Sequence, residues 1–381
     1  MFAEKAEQPC HSRKIGDLAG FIIYADASGR KGTIMKKGYL PLEHHYRLIK
    51  DHTPEMRWDG KEDFNQWKSR AKEKLFDLLG IAEIEKFACP VEVEIEFDRY
   101  AEDLDAREIR FRFRSEENVT IPCHLCIPKS AEGKKTPVMI TLQGHSTGMH
   151  VGLSRPKFPG DQQSLNMNWD RDYSKIALKE GLCVVVLEQR GFGENGGHPT
   201  SGNPRCTEVA KRAMLLGRTL IGERVWDVGR CIDALESTFA DLVDLDKILL
   251  MGNSGGGTAT TYTAIFEDRV KIAVPSCAVC DWEDSVAIMA HCACNHVPYI
   301  AKYFDMGDLV AMTAPKREVV VSGTVDNGFL IDGAINAVAV GRRGYEALGV
   351  SDKLVHVIAE GDHRFYAKES YPYIHKLIGE L

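Results

Sequence analysis

The stretch "ILLMGNSGGGTATTYTA" (residues 248–264) runs four apolar residues into a glycine cluster that holds a single serine. Gly252, Asn253, Ser254, Gly255 and Gly256 match the pattern G-x-S-x-G. A nucleophile on a sharp strand-to-helix turn stands at strained backbone angles, and neighbours bearing side chains would collide with strand and helix. The helix that follows aims free N–H groups at a developing negative charge. A phosphate cradle is a poorer fit: no lysine follows the glycines, and the dinucleotide spacing G-x-G-x-x-G is absent. A small residue in a tight turn is the remaining alternative.

A serine nucleophile needs a base, and the base an orienting acid. In a strand–turn–helix setting of this kind the chain order is serine, acid, histidine. Of the three histidines near the C-terminus, His356 lies inside the apolar run "KLVHVIA" and His375 in the amphipathic "YPYIHKLIGEL". His363, in "EGDHRF", falls just after the last run and is the candidate base. Asp326 in "VVVSGTVDNGF" is the candidate acid. Asp281 competes with it, the alternative for Asp281 being a helix cap in "CDWEDS". An oxyanion hole needs two donors. Gly255 N–H follows the nucleophile, and His145 N–H in "LQGHSTG" is the second candidate, with Gly144 permitting close approach.

These parts need a frame that brings strand ends together. Residues 91–97 and 107–113 alternate strictly, as half-exposed antiparallel strands do, and "VTIPCHLCIP" stays extended. Six continuous apolar runs follow, at 137–143, 182–188, 247–251, 271–277, 317–323 and 353–359, with helical stretches between them. Such runs suit strands buried on both faces of a parallel sheet. Ligands bind beyond the carboxyl ends of those strands, and each candidate residue stands just after a different run. Ahead of the sheet, Phe64, Trp67, Ala71, Leu75 and Leu78 recur at helical spacing, with Gly80 as the stop and Trp67 expected to pack on the body. The expected division is a helical, lid-like extension over 1–90 and a catalytic domain over 91–381.

With these motifs in place the chain resembles an α/β-hydrolase, and within that superfamily the acetyl xylan esterase and cephalosporin-C deacetylase-like group. The resemblance rests on "LQGHSTG", "LEQRGFGENG", "GNSGGG", "SGTVDNGF" and "GDHRF", spread over residues 137–366, and on the lead-in "FNQWKSRAKEKLFDLLG". It implies an α/β fold with a mostly parallel eight-stranded sheet flanked by helices. It also implies Ser254, Asp326 and His363 as triad and His145 and Gly255 as oxyanion donors. The chemistry implied is hydrolysis of small acyl esters, often acetyl groups on sugars. Gln143 stands where relatives often carry histidine.

Other signals point less far. "HCACNH" (residues 291–296), with Cys277 and Cys280 nearby, offers six soft ligands, but its spacing matches no standard zinc pattern. It is expected to form a lid or acyl-pocket wall, with no metal. Cys123 and Cys126 in "CHLC" lie three apart on a strand, so their thiols face opposite sides and form no redox pair. "RGFGENGGHP" is expected to be an active-site loop. The 381 residues carry 48 basic and 55 acidic side chains, a net charge of −7, which gives no electrostatic reason for nucleic acid or anionic membrane as partner. Eleven cysteines in a long chain without an apolar leader point to reduced thiols and a cytoplasmic setting. The expectation is a serine esterase acting on a small-molecule or oligosaccharide ester without a cofactor, as a monomer or homo-oligomer. A peptidase of the same fold, a non-catalytic binding protein on a hydrolase scaffold and a metal-dependent enzyme using "HCACNH" are the rival readings.

Overall fold

Continuous apolar runs and strict alternation imply different surroundings for the strands, and the structure separates them accordingly. It is a computed structural model that describes residues 38, 40–166, 170–287 and 291–381; Cys10 and the rest of residues 1–37 lie outside the described residues. The chain divides into two units, Met1–Leu48 and Ile49–Leu381. In the first, Arg47 pairs with Glu43 at 3.1 Å. All that follows concerns the second.

Among the described residues nine strands form one sheet: β1 (Val93–Ala101), β2 (Ala106–Glu116), β3 (Val119–Pro128), β4 (Pro137–Leu142), β5 (Cys183–Leu187), β6 (Asp244–Asn253), β7 (Val270–Ser276), β8 (Arg317–Gly323) and β9 (Leu354–Ala359). Their spatial order is β1-β2-β3-β5-β4-β6-β7-β8-β9. The first three pair antiparallel, and all the pairs from β5 to β9 are parallel. The sheet has one strand more than the eight expected. Residues Cys123–Cys126 of β3 pair antiparallel with β5, so the leading hairpin extends the parallel sheet instead of standing apart.

Helices cover both faces, which is why the inner strands carry no polar face. Met139, Leu249, Met251 and Val321 pack into one core cluster, while their neighbours Val138, Ile140, Ile248 and Leu250 pack into another. Cys126 joins the first and Cys123 the second, so the two thiols do lie on opposite faces. Helix Phe64–Leu79 is capped by Asp63, which accepts from Gln66 N–H, and ends at Gly80 in the left-handed conformation with φ 69°. Trp67 is fully buried and its Nε1 donates to Met56 O at 2.7 Å, so it packs on the body as expected. Leu79, not Leu78, completes the buried stripe. No helix among the described residues is long and apolar enough to cross a membrane.

β8 carries a buried acid on its way to the site. Glu318 is fully enclosed; its Oε2 accepts from the Tyr345 hydroxyl at 3.1 Å and its Oε1 has no partner among the described residues. Burial pushes its carboxyl from 4.5 up to about 8. The folded protein therefore holds a proton that the unfolded chain has released, and stability falls as pH rises from about 4.5 to about 8. Glu318→Gln is expected to raise the urea midpoint at about pH 8 and to leave it near the parent value at about pH 4. Urea unfolding across this range checks the prediction, and a difference independent of pH would refute it.

Candidate active site

β6 ends at Asn253 and helix Gly255–Phe266 begins two residues later, which leaves Ser254 alone in the turn. Its backbone sits at φ 56°, ψ −124°, a conformation that side-chain-bearing residues rarely adopt. The glycines flank it for steric reasons. A Cβ on Gly256 would lie 2.1 Å from Leu142 O, and one on Gly252 would lie 2.2 Å from Gly256 O. Ser254 N–H donates to Ser276 O at 2.8 Å, and Ser254 O accepts from Thr258 N–H at 2.8 Å. The strained residue is thus clamped between β7 and its own helix. Gly255 opens that helix, so its N–H has no acceptor within it.

His363 and Asp326 meet beyond the ends of β9 and β8. His363 Nδ1 lies 2.8 Å from Asp326 Oδ2, while Asp326 Oδ1 accepts from Gly328 N–H at 2.7 Å and Phe329 N–H at 3.2 Å. Burial alone would raise the Asp326 carboxyl. The His363 hydrogen bond and charge, together with the Gly328 N–H, outweigh it and hold Asp326 below its usual range. Phe329 stacks on the imidazole, with centroids 5.8 Å apart and planes 14° apart. The other two histidines are elsewhere: His356 Nε2 meets Ser322 Oγ at 3.0 Å, and His375 pairs with Glu180 at 2.8 Å. Asp281 precedes the short turn Trp282–Asp284 but makes no side-chain cap bond; its carboxylate receives the Asn336 amide, and burial pushes it up to about 7.

The loop after β4 closes the site. A Cβ on Gly144 would approach Asn253 O to 2.8 Å and Ser254 Cβ to 3.0 Å, so this backbone passes directly over the serine. Ser254, His363, Gly144, His145, Ser146, Val151, Arg171 and Tyr173 line one cavity of about 200 Å³. Gln143, at the position that departs from the resemblance, is buried and anchors the loop. Its side chain donates to Glu188, and its carbonyl accepts from Gln189 Nε2 at 2.5 Å. Glu188 also accepts from Met149 N–H at 3.1 Å, and burial pushes its carboxyl up to about 7. The site therefore brings together a strained serine, a histidine–carboxylate pair and a backbone turn with free N–H groups, which is the equipment for acyl transfer.

Two expected contributors are not among the described residues that line this cavity, but pack beside them. In "RGFGENGGHP", Phe192 meets the His145 ring edge-on at 5.4 Å and so buttresses it from behind. In "HCACNH", His291 Nε2 lies 3.0 Å from Gly328 O, beside the acid, and Cys294 Sγ lies 3.3 Å from His145 Nε2. Sequence reasoning missed Arg171 and Tyr173, which carry no motif, and Cys206, which lies far upstream of the cysteines it meets.

A family model described as the alpha/beta hydrolase fold matches residues 158–291. YtaP of Bacillus subtilis (strain 168), a protein provisionally assigned as a hydrolase, is 26% identical over 208 residues, covering 54% of this chain and 65% of its own. The chain spans less than two thirds of the length of the curated relatives it matches. Among solved structures, a Bacteroides fragilis protein provisionally described as an acetyl xylan esterase superposes with a TM-score of 0.72 at 14% identity, over 90% of this chain and 96% of its own. A glucuronoyl esterase from Solibacter usitatus does so with a TM-score of 0.62 at 16% identity, over 86% and 97%.

Proposed function

We propose that this chain, which has the α/β-hydrolase fold, hydrolyses carboxylic esters through an acyl-enzyme on Ser254. The observation that carries the reading is that Ser254, at φ 56°, and His363, paired with the buried Asp326, line the same cavity. His363 Nε2 takes the Ser254 proton as Oγ attacks the ester carbonyl. The tetrahedral oxyanion rests on the N–H groups of Gly255 and His145, and His363 then protonates the departing alcohol. Water repeats the two steps and releases the acid. Each oxyanion donor is worth roughly a factor of 10²–10³ in rate.

A cavity of about 200 Å³ suits a small acyl group, such as acetyl on a sugar hydroxyl. Arg171 on the cavity wall favours a second substrate class, the ester of a sugar acid, whose ring oxygens and any neighbouring carboxylate a guanidinium would hold. Hydrolysis of p-nitrophenyl acetate and of a methyl glucuronate ester, compared side by side, separates the two. Before either assay, a fluorophosphonate is expected to leave a single adduct on Ser254, read by peptide mass spectrometry, and none in His363→Ala. A folded protein that takes no adduct would remove the nucleophile and the proposal with it.

A further inference from the structure

Behind the oxyanion loop, three thiols and one imidazole converge. Cys206 is the first residue of helix Cys206–Leu215, and Cys292 and Cys294 flank the start of the short turn Ala293–Asn295. Their sulfurs and a ring nitrogen of His145 all lie within 4.8 Å of one another. Cys206 Sγ is 3.0 Å from Cys292 Sγ, and Cys294 Sγ is 3.3 Å from His145 Nε2. A tetrahedral zinc with Zn–S near 2.3 Å and Zn–N near 2.0–2.1 Å sets its ligands roughly 3.5–3.8 Å apart, so its entry would spread the Cys206–Cys292 and Cys294–His145 pairs by less than about 1 Å. We propose that Cys206, Cys292, Cys294 and His145 bind one zinc-class divalent cation.

Cysteines packed as small hydrophobes would account for the burial alone, and Phe192, Ala210 and Leu220 do surround the cluster. They would not account for Arg224. This side chain is 1% exposed and lies over Phe192 at 4.8 Å; among the described residues neither Nε nor Nη1 has a partner, and Nη2 is bonded to Arg190 O at 3.0 Å. A bare apolar core does not keep a guanidinium so poorly satisfied. Three thiolates, a neutral imidazole and a divalent ion sum to −1, and Arg224 beside them supplies the balancing charge. The Thr207 hydroxyl, 3.0 Å from Cys292 Sγ, and the helix N-terminus at Cys206 favour the thiolate forms further.

The four protein ligands fill a tetrahedron, so the ion has no open position for substrate and acts as a tie. It joins the loop after β4, the helix Cys206–Leu215 and the segment around Cys294. Through the His145 ring it holds the backbone N–H that the proposed esterase uses, a consequence that rests on that functional reading. Binding itself does not rest on it, and releases the thiol protons to solvent.

The test is metal content. The full chain, purified without chelator, is expected to carry one zinc per molecule by inductively coupled plasma mass spectrometry. Exchange with cobalt should produce the intense visible bands of a tetrahedral thiolate site. Cys206→Ser is expected to retain less than about a tenth of that metal, while Cys89→Ser, a half-buried cysteine outside the cluster, keeps all of it. Cobalt spectra of the parent protein stand even where Cys206→Ser folds poorly. Metal-free protein with every cluster thiol alkylated by iodoacetamide, or a Cys206–Cys292 disulfide in the non-reducing peptide map, would overturn the proposal. Neither result touches fluorophosphonate labelling of Ser254, so the two readings fail separately.

Discussion

Ser254→Ala is expected to lower kcat for ester hydrolysis by on the order of 10⁵–10⁶, with substrate binding and the folded structure retained. The loss is large because in the proposed mechanism the hydroxyl forms the covalent bond with substrate; without it the oxyanion donors can only assist direct attack by water. The residual rate should resemble that of a site which merely positions water. Little stability should change, because one oxygen leaves a half-buried side chain and the φ of 56° is held by the clamp between β7 and the helix. A shift within about 0.5 kcal/mol is the expectation for such a change. His363→Ala on top of Ser254→Ala should cost almost nothing more, since base and nucleophile act as a unit. Initial rates on p-nitrophenyl acetate, with thermal melts of each variant, read all of this. A Ser254→Ala protein that keeps a tenth of the activity would place the chemistry elsewhere.

The fold was legible because its inner strands are buried on both faces, which writes them into the chain as unbroken apolar runs. From β4 onward every such run became a strand. Ser254, Asp326 and His363 were legible for a related reason: parallel strands end on one edge, so residues that follow different strands are neighbours in space. What could not be read was contact made sideways between loops. Gln143 and Glu188 meet because β4 and β5 are adjacent, and nothing local marks either as the partner of the other. Cys206 meets Cys292 across 86 residues of chain, and a search for zinc spacing within "HCACNH" had no means of finding it. Cys277 and Cys280, which looked close enough to join that stretch, go elsewhere: Cys277 lies by Asp326 and His363, and Cys280 by Phe329. Asp281 shows the same limit on a smaller scale. It precedes a short turn without capping it, and its carboxylate turns towards Asn336 on a helix more than fifty residues away.

Asp326→Asn is expected to cost roughly 10⁴ in kcat, and the local bonding says why. Oδ1 is held by two backbone N–H groups, from Gly328 and Phe329, and only an oxygen can stand there. An asparagine in this place must therefore turn its amide nitrogen towards His363 Nδ1. The amide donates where the carboxylate accepted, so the ring is left with its proton on Nε2, the atom that should take the proton from Ser254. The ring stays in place and the tautomer is wrong. The same pair also carries a pH signature. His363 and the backbone donors hold the Asp326 carboxyl below its usual range against the opposing effect of burial, so the folded state binds this proton less readily than the unfolded chain. Its contribution is complete above the unfolded value near 3.9 and is lost as pH falls through the depressed folded one. The advantage of the parent protein over Asp326→Asn in urea midpoint should therefore be constant at neutral pH and shrink on acidification below about pH 4. A variant whose kcat falls less than tenfold would show that the orienting acid is another group. One whose stability gap ignores pH would show that the Asp326 charge is not what holds the pair together.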